Sequence, residues 1–360
     1  MSICQKESGW LSGRLTDRLA TQRHPLSGTC ELTWACNFDC VHCYLKGYGS
    51  GQPHLKRDSA LKLLQQMAET GCLGLVLTGG EPLCHPDFKE IYARAVKLGF
   101  LVTLFTNGSL IDAELADFLA DHPPRCVEFS LYGANEESYQ TITGTRGQFE
   151  RVLQGVDLLL ARDIAVVPKA MLLKPLANQV EGLRQLTGSR GLGIRIDPII
   201  DPALDGNQDP LAFRLDPEEA VAIELDDPER LEKLGPYDDM WRKTKPDNSE
   251  AACLAGFSSF HLDPQGNLMP CLQLREPVIS AVEQGFGPAW QQLGEARRPR
   301  YDKGVKCNLC DLTHLCGFCP GLAEMGEAPP VDGDGYHCRI ARARAKMVKD
   351  KHHGGRREVA

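Results

Sequence analysis

The chain has 360 residues, a formal net charge of −8, 42% hydrophobic and 24% charged residues, the make-up of a globular protein of about two domains. The acidic balance argues against a dedicated nucleic-acid binder, which is usually basic, and no apolar run approaches the roughly 20 residues that cross a bilayer. Residues 1–20 are mixed polar without an export-signal pattern, so a cytoplasmic location and no membrane contact are expected.

From about residue 30 to 200, short β-rich runs alternate with amphipathic helical runs. Strands are expected at 30–34, 75–78, 101–105, 127–131, 164–167 and 194–197, each short and rich in β-branched or aromatic residues, as buried parallel strands are. Between them, Asp58 is expected to cap a helix that buries Leu61, Leu64 and Ala68 and stops at Gly71. Pro86 is expected to open another that runs to Gly99. Further helices are expected at 112–120, 148–161 and 178–186. Six strands alternating with helices define an α/β fold with a parallel sheet, compatible with a doubly wound sheet or a partial barrel. A partial (β/α)6 TIM-like barrel is the expectation here, and in either architecture active residues sit at the C-terminal ends of the strands.

Beyond Pro202 the pattern changes. Residues 216–248 are acidic and helical in character, as in Asp216-Pro217-Glu218-Glu219-Ala220, and read as a bridge. Residues 249–345 are rich in Cys, Gly and Pro with little periodicity, which implies a small C-terminal domain with little core of its own, stabilised by metal. Residues 346–360 read as a basic tail, and the run Arg339, Arg342, Arg344, Lys346, Lys349 and Lys351 as a solvated helix face. The expected division is therefore 1–28, 29–215, 216–248, 249–345 and 346–360.

Cysteine is over-represented, and in a reducing compartment 15 cysteines point to metal binding before disulfides. They gather at two places: Cys36, Cys40 and Cys43, and then Cys253, Cys271, Cys307, Cys310, Cys316, Cys319 and Cys338. Cys4, Cys30, Cys72, Cys84 and Cys126 have no motif partner and read as buried thiols.

The first group is Cys36-x3-Cys40-x2-Cys43, directly after the first strand. Three thiolates on one loop can hold three corners of a cubane cluster and leave the fourth iron open, whereas full ligation takes four cysteines. On spacing alone a Cys3His zinc site that includes His42 also fits. With Tyr44 immediately after it, the motif resembles the signature of the radical S-adenosylmethionine (SAM) superfamily. The resemblance implies a SAM-binding [4Fe-4S] cluster on Cys36, Cys40 and Cys43, reductive cleavage of SAM to a 5′-deoxyadenosyl radical, and Tyr44 against the adenine. Thr78-Gly79-Gly80-Glu81-Pro82, after the second strand, is similar to the motif of that family that binds the SAM amino group. Glycines there allow close backbone approach, and Glu81 offers an acceptor to an ammonium. Asn107 and Ser130, after the third and in the fourth strand, match further SAM-contacting positions of the family. The arginine that many relatives carry after the fourth strand has no clear counterpart in Ile142-Thr143-Gly144-Thr145-Arg146-Gly147.

The second group, Cys253-x12-Gly266-x4-Cys271 followed by Cys307-x2-Cys310-x5-Cys316-x2-Cys319 and Cys338, resembles the SPASM domain of radical SAM peptide-modifying enzymes. One interval is a residue shorter than that pattern, and paired Cys-x2-Cys knuckles alone would also suit zinc. The resemblance implies one or two auxiliary [4Fe-4S] clusters, with Cys307, Cys310, Cys316 and Cys338 on a distal one. Cys253, Cys271 and Cys319 would bind a proximal one, whose fourth donor is His261, Asp263 or an exchangeable ligand. It further implies a peptide substrate, a flavodoxin- or ferredoxin-type electron donor and, because residues 1–28 are too few for a winged-helix leader-binding domain, a separate recognition protein. The expected activity is a radical SAM/SPASM peptide maturase that installs a thioether, a carbon–carbon crosslink, an epimerisation or an oxidative decarboxylation. The alternatives are radical chemistry on a small molecule or haem-type tetrapyrrole, and a non-enzymatic zinc protein. Arg195 and Asp197, at the end of the sixth strand, are candidate substrate-side residues, and no acid or base stands out.

Overall fold

A computed structural model describes residues 22–48, 53–227, 230–232, 234, 255–296, 310–317, 319, 321–322, 325–327 and 335–354. Six parallel strands form its frame: β1 (Ser27–Thr33), β2 (Gly74–Gly79), β3 (Leu101–Thr106), β4 (Cys126–Ser130), β5 (Val166–Met171) and β6 (Arg195–Asp197). They lie side by side in sequence order, β6-β5-β4-β3-β2-β1. A doubly wound sheet reverses its order at a switch point; this one does not, so the partial barrel is the architecture.

The helices are α1 (Arg57–Glu69), α2 (Phe88–Lys97), α3 (Ala113–Asp121), α4 (Glu136–Thr143), α5 (Phe149–Leu160), α6 (Val180–Gly188), α7 (Pro217–Leu225), α8 (Phe286–Ala296), α9 (Thr313–Cys316) and α10 (Tyr336–Gly354). Their starts follow local chemistry. Asp112 accepts a hydrogen bond from Leu115 N at 2.8 Å to cap α3, and Asn135 does the same for α4 from Ser138 N at 3.0 Å. Two expected starts differ. Lys56, not Asp58, is the N-cap of α1, and Asp58 sits in the first turn, where a carboxylate suits the helix dipole. Pro86 precedes α2, which begins at Phe88 with Asp87 as N-cap; residues Pro82–Cys84 form a 3-10 turn before it.

The largest departure lies beyond residue 255. The stretch expected to have little core of its own extends the barrel sheet. Strand β7 (Ser259–Leu262) runs parallel to β1, and β8 (Asn267–Met269) and β9 (Ile279–Ser280) continue the sheet antiparallel. Phe260, Leu262, Leu268, Phe286, Trp290 and Leu293 are buried in the same continuous core as β1 and α1. The expected solvated basic face is also partly used. Arg344 makes a two-pronged bond to Glu224 of α7 at 2.9 and 3.0 Å, and Arg339 reaches Asp216 at 2.9 Å and Glu218 at 2.6 Å. The acidic bridge and the basic helix are thus partners. Among the described residues no helix is long and apolar enough to cross a membrane.

Candidate active site

The cysteine loop leaves the C-terminal end of β1, at the mouth of the barrel. It is braced from two sides. Asp39 N and Val41 N donate to the carbonyls of Thr143 (2.9 Å) and Ile142 (3.0 Å) at the end of α4. On the other side Asn37 donates to Ser109 Oγ and accepts from Asn107 Nδ2, each at 2.8 Å. Cys36 Sγ accepts from Phe38 N at 3.4 Å. Burial pushes the Cys36 thiol up to about 12, and Cys40 and Cys43 rise for the same first reason. The charges of Cys36 and Cys43 also act on Cys40. Such thiols keep their protons until a cation compensates the thiolate, which is the behaviour of a soft metal-ligand set.

Among the described residues no three His, Cys, Asp or Glu side chains converge closely enough to hold a single ion. A zinc site needs all its donors about 2.1–2.3 Å from one centre. A cubane spreads them over separate irons, and three thiols on one short loop suit three of its corners. The His42 ring packs edge-on against Tyr132 at 5.2 Å, and burial lowers its pKa to about 4.

The Gly79-Gly80 turn explains why glycines stand there. Gly79 has φ +146°, and a Cβ on it would lie 2.1 Å from Thr33 O; one on Gly80 would lie 2.6 Å from the carbonyls of Trp34 and Ala35. The end of β2 is therefore pressed onto the backbone that launches the cysteine loop, with Gly80 N and Glu81 N donating to Thr33 O (2.8 Å) and Ala35 O (2.9 Å). Gly79→Ala is expected to cost at least about 2 kcal/mol of stability and to lower the iron bound at the loop, as read by denaturant unfolding and iron content.

Glu81 is fully buried, and its carboxylate accepts from Leu83 N (3.0 Å), Thr106 Oγ1 (2.7 Å) and Asn107 N (2.7 Å). Burial raises its pKa to about 7 against these three bonds, which pull it down. Glu81 thus ties the β2 turn to the end of β3. Pro82 is buried at the start of the 3-10 turn. The Asn107 amide is spent internally, its Oδ1 accepting from Ser109 N and Oγ. Ser130 ends β4, where its carbonyl accepts from Tyr139 Oη at 3.4 Å. Cys84 is half-buried and feels the charge of Glu81. Arg146 is exposed, as is Arg195, whereas Asp197 is half-buried.

One residue of this region went unread in the sequence. Glu31, on β1, is fully buried and accepts from Trp34 Nε1 (3.0 Å) and Tyr44 Oη (3.2 Å), while His261 Nε2 of β7 lies 3.1 Å away. Trp34 and Tyr44 flank the cysteine loop, so one carboxylate fastens both of its ends and joins them to the C-terminal strands. An ionised carboxylate only accepts, so the His261 proton sits on Nε2. The Arg275 guanidinium, over the Tyr48 ring at 4.8 Å, stands 4.0 Å from Glu31. An alternating polar residue on a strand was the only local signal.

Of the C-terminal cysteines, Cys253 and Cys307 lie outside the described residues. Cys271 and Cys319 are neighbours close enough for their charges to interact. Cys316 Sγ reaches His337 O at 3.6 Å, next to Cys338, and Cys310 is exposed.

Soft donors on the first loop of a sequentially ordered parallel barrel, backed by a buried Gly-Gly-Glu-Pro turn, define the radical SAM class of enzyme. Residues 31–178 form a radical SAM domain, matching the sequence model of the radical SAM superfamily. SAM and a [4Fe-4S] cluster are the cofactors of that family. Among curated proteins, the chain is 26% identical over 329 residues to the AdoMet-dependent heme synthase of Methanosarcina barkeri, covering 85% of this chain and 94% of that one. It is 26% identical over 315 residues to the antilisterial bacteriocin subtilosin biosynthesis protein AlbA of Bacillus subtilis, covering 82% and 67%. Among solved structures, Streptococcus suis SuiB bound to precursor peptide SuiA superposes with a TM-score of 0.67 at 17% identity, over 90% of this chain and 79% of that one.

Proposed function

We propose that this radical SAM enzyme modifies a ribosomally made peptide, with residues 29–215 carrying the SAM chemistry and 249–345 a SPASM-type region with auxiliary clusters. The observation that carries this reading is the placement of the second cysteine group. Cys271 follows closely on β8, in the sheet that contains β1, so this thiol shares a framework with the SAM-cluster loop. Cys36, Cys40 and Cys43 would hold the first cluster. Bound there, the cluster and SAM together supply one-electron chemistry that yields a hydrogen-abstracting 5′-deoxyadenosyl radical.

The chain's own part is positional. Gly79 and Gly80 bring backbone close to the loop, leaving main-chain groups for the SAM ammonium. Glu81 and Asn107 lock the turn that presents them. Tyr44, held through its hydroxyl by Glu31, offers a ring face to adenine, and Ser130 offers a hydroxyl to SAM. Peptide substrate fits relatives whose names specify bacteriocin biosynthesis and a precursor-peptide complex. A flavodoxin- or ferredoxin-type donor would deliver the electron, and a separate protein would present the leader. A second reading, chemistry on a tetrapyrrole, is favoured by the match over 94% of the length of a haem synthase.

Anaerobic reconstitution, iron counting and a dithionite-driven SAM-cleavage assay test the proposal. About twelve irons per chain, for three four-iron clusters, with 5′-deoxyadenosine formed and a mass change on a candidate precursor peptide, are the expected result. A mass change on a tetrapyrrole carboxylate instead would favour the second reading. Zinc in place of iron, with no 5′-deoxyadenosine, would overturn both.

A further inference from the structure

The parallel registers place two cations side by side on the inner wall of the barrel. Ser130 of β4 is the register partner of Lys169 on β5, and Lys169 is that of Arg195 on β6. Register partners share a face, and the residues next to them along each strand point the other way. Those neighbours, among them Phe129, Ala170 and Ile196, are buried in the core. Ser130, Lys169 and Arg195 therefore form one row on the lumen face.

Lys169 is held from deeper in the barrel. Its Nζ lies 2.5 Å from Glu128 Oε2 and 3.9 Å from the centroid of the Phe105 ring, an ion pair over an aromatic platform. The Lys169 and Glu128 side chains are 21% and 15% exposed, so the pair is not sealed from solvent. Arg195 is exposed and, among the described residues, makes no hydrogen bond or ion pair. Asp197, two residues on along the same face of β6, accepts from Ile199 N at 3.3 Å.

Like charges directly opposite each other weaken a sheet. The two cations do sense one another. Burial pulls the Lys169 pKa below its ordinary value; the Glu128 charge opposes that shift, and the Arg195 charge adds to it. An anion set between them turns this cost into a gain, because it meets charged donors from two strands about 4.8 Å apart. The charge count selects the anion. Glu128 and Asp197 already balance Lys169 and Arg195, so a monoanion fits, whereas a phosphate dianion would leave the wall strongly negative. β6 is also the outermost strand of the sheet, so Arg195 stands at the side of the barrel that no further strand closes.

We propose that Lys169 and Arg195 form a receptor for a carboxylate of the substrate, with Glu128 as the positioning residue that holds the ammonium at the wall. This rests on the reading above, in which the substrate meets SAM in the barrel. An acidic side chain or the C-terminus of a peptide carries such a group, and so does a tetrapyrrole propionate. A carboxylate anchored in the row that begins at Ser130 fixes which substrate carbon is presented to SAM.

The test is binding to the full chain, reconstituted anaerobically and kept oxidised, followed by saturation-transfer NMR without turnover. The probes are an end-blocked tripeptide with a central glutamate, its glutamine counterpart, coproporphyrin III and SAM. The glutamyl tripeptide is expected to bind and the glutaminyl one not. Arg195→Gln, at an exposed and unpartnered side chain, should fold normally and weaken the glutamyl probe about tenfold, as loss of a charged hydrogen-bond donor does, with SAM affinity unchanged. Lys169→Met should do the same; because it strands Glu128, the double variant Lys169→Met/Glu128→Gln accompanies it, and thermal unfolding reports on both. Glu128→Gln frees the ammonium and should tighten the glutamyl probe, a gain that a merely structural pair would not give. Carboxylate-selective binding of coproporphyrin III alone supports the receptor and takes away the peptide reading. Selective binding in a chain that forms no 5′-deoxyadenosine overturns the proposed function and leaves the receptor standing. The proposal is overturned if neither acidic probe binds selectively, if Arg195→Gln and Glu128→Gln both bind as wild type, or if the variants lose SAM in place of the acidic probes, which would assign the pair to the cofactor.

Discussion

Alanine at Cys36, Cys40 or Cys43 is expected to cut 5′-deoxyadenosine formation by more than about a hundredfold, since lost outer-shell partners alone cost metal sites 10–100-fold, and to remove about four irons per chain. Each thiol stands on a different part of a short loop that α4 and the Asn37–Asn107–Ser109 cluster hold still. With one corner gone, no neighbouring cysteine of that loop can replace it. The irons assigned to the C-terminal cysteines should remain, because those side chains belong to other segments. His42→Ala separates the cluster from a zinc site. Its iron content should stay near wild type, since His42 packs against Tyr132 and is no corner of the cluster. Loss of metal in His42→Ala equal to that in Cys40→Ala would revive the Cys3His reading.

Glu31→Ala is expected to destabilise the folded protein by about 3–5 kcal/mol, the usual cost of breaking a buried ion pair from one side. It strands the Trp34, Tyr44 and His261 donors and takes from Arg275 one of its two carboxylates, the other being Asp263. Glu31→Gln keeps acceptors for Trp34 and Tyr44 and should cost less. The pH dependence has a definite sign. Burial alone would raise the Glu31 pKa, but the charge and hydrogen bond of His261, the bond from Trp34 and the charge of Arg275 bring it below the usual carboxylate value of 4.5. A depressed carboxylate adds stability above its unfolded pKa and loses it as the pH falls through the folded one. The gap between wild type and Glu31→Gln in denaturant midpoint should therefore be full at pH 7 and shrink below about pH 4.5. A gap independent of pH would mean that Glu31 acts by shape alone.

The six barrel strands and the two cysteine groups were legible because their signals are local: β-rich runs of four or five residues, and fixed spacings between thiols. Helix α4 was not. Glu136–Thr143 is short and rich in Ser and Thr, weak helix formers, and its real markers were the Asn135 cap and Gly144 at φ +68°. Strands β7, β8 and β9 have four, three and two residues, and β7 pairs with a strand at the far end of the barrel sequence. Nothing local can announce such a partner. Glu31 was hidden for a related reason. Polar alternation on a strand normally marks the solvent face, but in a barrel that face is the lumen, and the histidine that donates to it is 230 residues away.

The seam between β1 and β7 also sets an order of assembly on the ribosome. At roughly 5–20 residues per second, His261 leaves synthesis some ten to fifty seconds after Glu31. During that interval β1 presents a bare edge on one side, the kind of surface that recruits stray strands. Glu31, meanwhile, is a carboxylate without its histidine donor. The lumen must stay hydrated until β7 arrives, so the barrel dries and the ends of the cysteine loop are fastened in one late event. A nascent chain of this enzyme therefore depends most on chaperone cover between the emergence of its first strand and its seventh.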